Sequence, residues 1–125
     1  PTSEFAGTNA IEAPSIMQHD GYYYLFESWD YCCRGAKSNY RVAVGRSKKV
    51  AGPYLDRNGK DMREGGGNIF LEGDKREFEA AGHCAAYSFA DGDWFICHGY
   101  SMQKNGAPLL IQKKISWTAD GWPTL

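Results

Sequence analysis

"APSIMQHDGYYYLFES" (13–28) and "CAAYSFADGDWFICHG" (84–99) decide the fold. Each places an Asp-Gly pair, Asp20-Gly21 or Asp91-Gly92, between two apolar, aromatic-rich runs. Such a pair supplies the positive-φ positions that a two-residue hairpin turn requires, so each stretch is expected to be a β-hairpin. The two read as copies, because Gly21 and Gly92, Tyr23 and Trp94, Tyr24 and Phe95, and Leu25 and Ile96 all stand 71 residues apart. A third strand recurs approximately, "YRVAVGRSKKVAGPY" (40–54) falling where "LIQKKISWTADGWP" (110–123) does. "GPYLDRNGKDM" (52–62) and "GGGNIFLEGD" (65–74) then supply outer-strand and connecting segments to the first unit.

The repeat predicts an all-β chain of two four-stranded antiparallel sheets, spanning about residues 7–78 and 79–125. A sheet apolar on both faces buries them only against neighbouring copies. Radial repetition of such sheets is a β-propeller, and two blades do not close a ring. The chain is therefore expected either to belong to a longer protein or to assemble with copies of itself, since a monomer rarely leaves such faces open. A self-contained β-sandwich of the two sheets is the alternative.

Composition agrees with many short strands. The 125 residues include 15 Gly, 8 Tyr, 6 Phe and 4 Trp, are 42% hydrophobic and 23% charged, and bound the chain at about one domain. Fourteen Lys plus Arg against fifteen Asp plus Glu leave a formal net charge of −1, with no basic run, which argues against nucleic acid or an anionic membrane as partner. No apolar stretch is long enough to span a bilayer, and "PTSEFAG" (1–7) lacks the basic and apolar regions of a signal peptide. The four cysteines, Cys32, Cys33, Cys84 and Cys97, have no zinc-ligand spacing. Cys84 and Cys97 are expected as buried reduced thiols, and the adjacent Cys32 and Cys33 as free thiols ahead of a vicinal disulfide.

In a propeller blade the first strand lines the central channel, which gives position a functional meaning. Counting outward from the turns places Glu12, in "NAIEAP" (9–14), opposite Trp29 and beside Asp30. The same count places His83 opposite Tyr100, and the 71-residue period puts His83 in the slot of Glu12. Both are expected to point into the channel from one rim. An apolar collar of Ala10, Ile11, Ala13 and Pro14 would help desolvate Glu12, as a carboxylic acid that keeps its proton near neutrality requires. Trp29 and Tyr31 are candidates for stacking on a sugar ring, Asp30 for binding a hydroxyl or tuning Glu12, and Arg34 for donating hydrogen bonds, each against a plain packing role. His19 and His98 read as ordinary.

"NAIEAP", "GYYYLFESWDYCCRG", "VGRSKKVAGPYLDRNGKDM", "GGG", "AGH" and "SWTADGWP" together resemble the endo-arabinanases of glycoside hydrolase family 43, from about Gly7 to Pro123. The resemblance implies two blades of a five-bladed β-propeller, and inverting hydrolysis of α-1,5-linked L-arabinan or arabino-oligosaccharides by a secreted, extracellular or periplasmic enzyme. It implies Glu12 as general acid and His83 as the side chain reaching a central calcium ion. An inverting hydrolase also needs a second carboxylate as base, about 6.5–9.5 Å away across the sugar. In the family that base is an aspartate of the first blade, and another upstream aspartate tunes the acid. Neither motif occurs in this sequence, and Asp30 sits too near Glu12's strand to replace them. The expectation is the C-terminal part of an arabinan hydrolase, incomplete without its upstream blades. The competing expectation is a non-catalytic, self-associating module that binds carbohydrate.

Overall fold

The hairpin reading holds best where the turn chemistry is strongest. In the computed structural model, which describes residues 10–125, Asp20 and Gly21 adopt φ of 49° and 83°, the left-handed pair a tight hairpin demands. They join β1 (Ile11–His19) to β2 (Tyr22–Trp29). β3 (Arg41–Ser47) and β4 (Asn68–Glu72) follow, giving a four-stranded antiparallel sheet in the order β1-β2-β3-β4. "PTSEFAG" and Asn9 lie outside the described residues.

The second sheet departs from expectation. It has three strands among the described residues, β5 (Phe78–Phe89), β6 (Gly92–Ser101) and β7 (Ala107–Lys114), rather than four. The chain that follows forms its own two-stranded ladder, β8 (Ser116–Trp117) with β9 (Pro123–Thr124). This ladder is held to the first sheet instead: Tyr24 donates its hydroxyl to the Gly121 carbonyl at 2.5 Å, and Arg46 Nη1 donates to the Asp120 carbonyl at 2.9 Å. The second turn also sits one residue earlier than its Asp-Gly pair suggests. Phe89 pairs with Gly92, leaving Ala90 and Asp91 as the loop, and the Asp91 carboxylate accepts from Trp94 Nε1 at 3.0 Å.

The two sheets pack face to face. Alternation along β2 sends Tyr24 and Phe26 inward, and along β6 Phe95 and Cys97, all at most 1% exposed. Phe26, Phe70 and Phe95 meet with centroids 4.9 to 5.8 Å apart, an aromatic cluster contributed by β2, β4 and β6. The outer faces stay apolar and open: Tyr87 (64%), Phe89 (56%) and Leu110 (66%) on the second sheet, Ile16 and Ile69 on the first. Cys84 and Cys97 are free and buried, as expected, and burial first, with Cys97's neighbouring charge second for Cys84, pushes both thiols up to about 12. Cys32 and Cys33, expected free, are joined by a disulfide. Their loop is folded tightly enough for it, with Cys33 in the left-handed region and its N–H donating to Tyr100 Oη at 3.0 Å.

Candidate active site

The end of the sheets opposite the Asp20-Gly21 turn gathers the chemistry. Pro14 has no N–H to offer a ladder, and Ala13 lies at φ 51°, so β1 bulges between Glu12 and Ser15. The bulge shifts the register by one residue, and Glu12 pairs with Ser28 rather than Trp29, which pairs with Ile11. β5 bulges as well, between Gly82 and Ala85, with His83 at φ 53°. His83 therefore occupies a bulge next to Gly82, which pairs with His98, and is not opposite Tyr100. In backbone terms His83 matches Ala13, and Glu12 matches Gly82, so the 71-residue equivalence of Glu12 and His83 fails by one position.

Glu12 and His83 nonetheless meet through one residue. Ser28, fully buried, accepts the His83 backbone N–H on Oγ at 2.8 Å and is the cross-strand partner of Glu12. The Glu12 side chain is exposed, and its Oε1 accepts a hydrogen bond from Tyr40 Oη. The Ser28 side chain acts on the Tyr40 phenol in the lowering direction and is outweighed. Burial first, then the Glu12 carboxylate, raises the Tyr40 phenol well above its ordinary range, so it remains a proton donor. The collar does not bury Glu12 in this chain, since Ile11 is 48% exposed and Pro14 is exposed too.

The remaining candidates are divided by the structure. Trp29 is buried, donates Nε1 to Glu27 Oε2 at 3.2 Å, and packs against Gly67, where any Cβ would fall 2.7 Å from its ring. Asp30 is 5% exposed and holds Arg41 Nε on Oδ2 at 3.0 Å, so its carboxylate faces a cation. Arg34 is exposed, with its guanidinium stacked 3.7 Å over the Tyr31 ring. His83 is exposed, and its ring centroid lies 6.1 Å from that of His98. A pair of imidazoles does not match the oxygen preference of calcium, and among the described residues no three His, Cys, Asp or Glu side chains converge. Among the described residues, this chain's own donors do not gather into a calcium site.

Sequence reading missed Tyr40, Ser28 and Arg41. None carries a local signal: Ser28 and Arg41 look like alternating strand residues, and Tyr40 reaches Glu12 only because it ends the eleven-residue segment 30–40 that returns the chain to β3.

The family model of the glycosyl hydrolases family 43 matches residues 1–123. The chain is 44% identical, over 94% of its length, to the extracellular exo-alpha-(1->5)-L-arabinofuranosidase ArbA of Cellvibrio japonicus. It is 41% identical, over 92%, to the extracellular endo-alpha-(1->5)-L-arabinanase 1 of Bacillus subtilis. It spans 34% of the length of each. Among solved structures, an exo-1,5-alpha-L-arabinanase from a bovine ruminal metagenomic library superposes with a TM-score of 0.90 at 54% identity, covering 95% of this chain and 39% of that one. A Cellvibrio cellulosa alpha-L-arabinanase complexed with arabinohexaose gives 0.87 at 43% identity, covering 91% and 36%. With a family match over nearly its whole length, this chain belongs to glycosyl hydrolase family 43.

Proposed function

We propose that the chain forms two adjacent blades of a five-bladed β-propeller that cleaves α-1,5-linked L-arabinan outside the cell, and that Glu12 is the general acid protonating the departing glycosidic oxygen. The observation that carries this reading is the setting of Glu12: an accessible carboxyl at a strand bulge, held on one oxygen by a buried phenol and free to offer the other to a substrate. Family membership and the arabinan-directed names of its relatives support the substrate class.

The base comes from sheets beyond this chain. Asp30 is not a substitute, because Arg41 holds its carboxylate and burial leaves no room for water and a sugar. The open outer faces, with Tyr87, Phe89, Leu110 and Ile16, are where neighbouring blades pack, which also supplies the desolvation Glu12 lacks here. Arg34 and Tyr31 stand on the exposed loop as sugar contacts, Asp30 acts by fixing Arg41 and the loop base, and Trp29 is packing. His83 is a candidate ligand to calcium only with donors from outside this chain, and no catalytic step is routed through the ion. The isolated chain is catalytically incomplete.

The test is hydrolysis of linear 1,5-arabinan by the complete protein carrying this segment, with the anomer of the first product read by proton NMR. Inversion supports the two-carboxylate scheme; retention, or no cleavage of arabinan, contradicts it. The second reading, a self-associating carbohydrate-binding module, rests on the same open faces. It predicts a stable homo-oligomer of this chain that binds arabino-oligosaccharide without cleaving it.

A further inference from the structure

Two hydrogen bonds flank the pairing of Glu12 with Ser28 where the two sheets meet. The His83 N–H donates to Ser28 Oγ, Ser28 is the cross-strand partner of Glu12, and the Tyr40 hydroxyl donates to Glu12 Oε1. Ser28 and Tyr40 are buried, whereas the Glu12 side chain that Tyr40 holds is exposed. The phenol itself has no freedom. Tyr40 is 1% exposed, packed with Ala80, Tyr100 and Cys32, and its ring lies so close to Gly82 that a Cβ there would fall 2.2 Å from it. Its backbone carbonyl accepts from the Ala81 N–H at 2.9 Å.

We propose that Tyr40 is a positioning residue that selects which oxygen of Glu12 carries the transferable proton. The inference rests on the reading of Glu12 as general acid and deepens it. Because Tyr40 Oη–H donates to Oε1, that oxygen is an acceptor, and the proton of the neutral acid resides on Oε2. A free glutamate would populate several rotamers and both oxygens, whereas the phenol holds one arrangement. When Oε2 gives its proton to the glycosidic oxygen, the O–H bond of the acid breaks and that of the departing alcohol forms. The negative charge then left on Glu12 meets a donor already in place, and a hydrogen bond to a charged acceptor is stronger than one to a neutral acceptor.

Leaving-group dependence tests this in the complete protein. An arabino-oligosaccharide leaves as a poor alcohol and needs the acid; a 2,4-dinitrophenyl arabinofuranoside leaves without it. Tyr40→Phe is expected to lower kcat on the oligosaccharide by about 10- to 100-fold, the worth of a hydrogen bond to a charged group, with KM changed less than about twofold and the activated substrate nearly unaffected. Equal loss on both substrates, or no loss on either, overturns the proposal. Glu12→Gln runs beside it. If Glu12→Gln shows the leaving-group preference and Tyr40→Phe does not, the positioning role fails while the acid stands; if neither shows it, the acid reading fails. A readout independent of catalysis uses this chain itself. The Tyr40 hydroxyl proton, buried and bound to a carboxylate, is expected as a slowly exchanging downfield resonance that moves upfield in Glu12→Gln. An unmoved resonance, with the fold intact, contradicts the contact.

Discussion

Ser28 Oγ sits 2.8 Å from the backbone nitrogen of His83, joining the second strand of one sheet to the bulge of the next sheet's first strand. Ser28 is fully buried, so Ser28→Ala leaves an N–H with no water to replace its partner. The expected cost is about 1–3 kcal/mol, measured by urea unfolding of the two chains. Ser28→Thr, which keeps the hydroxyl, recovers part of it.

Gly82→Ala is expected to be costlier than its single methyl suggests. The added Cβ meets the Tyr40 ring at 2.2 Å, and that ring is packed on all sides. Overpacking of this kind costs about 1–3 kcal/mol, and here it also displaces the hydroxyl from Glu12. Urea unfolding reads the first effect and the Tyr40 hydroxyl resonance the second.

Alkylation should separate the four cysteines into two classes. Cys84 and Cys97 are buried with thiols pushed up to about 12, so at pH 8 almost none is thiolate. Cys32 and Cys33 are already bonded to each other. Mass spectrometry after iodoacetamide is expected to show no adduct on the native chain, two after unfolding without reductant, and four after unfolding with it.

Acid should weaken the connecting loops first. Partial burial acts to raise Asp56, but the N–H groups of Gly67, Lys60 and Asn58 outweigh it and hold the carboxyl below its ordinary value. Asp74 is held low by the N–H groups of Arg76, Phe78 and Glu77. A depressed folded-state value means stabilisation that is fully present above the unfolded pKa of about 3.9 and lost as pH falls through the folded one. Thermal melting is expected to fall below about pH 4, and less steeply in Asp56→Asn and Asp74→Asn.

The fold was legible where residues act locally. Asp20-Gly21 dictates its hairpin, and the repeat of aromatic strands announces two stacked sheets before any contact is known. What escaped was whatever depends on a single inserted residue. The bulges at Ala13-Pro14 and at His83 moved Glu12 from Trp29 to Ser28 and unmatched the two slots, because counting from a turn assumes an unbroken ladder. The fourth strand of the second sheet failed for a different reason: residues 116–124 find their partners in Tyr24 and Arg46 of the first sheet. At the candidate site, Glu12 stood out in its motif as an expectation, while Tyr40 reaches it through a tertiary contact that no spacing encodes.

The role of Glu12 is tested most directly by the rate of Glu12→Gln in the complete protein on two substrates differing only in their leaving group. If Glu12 is the proton donor, hydrolysis of an arabino-oligosaccharide falls by at least about 10²-fold while that of a 2,4-dinitrophenyl arabinofuranoside changes by less than about tenfold. Equal losses on the two substrates would contradict the account.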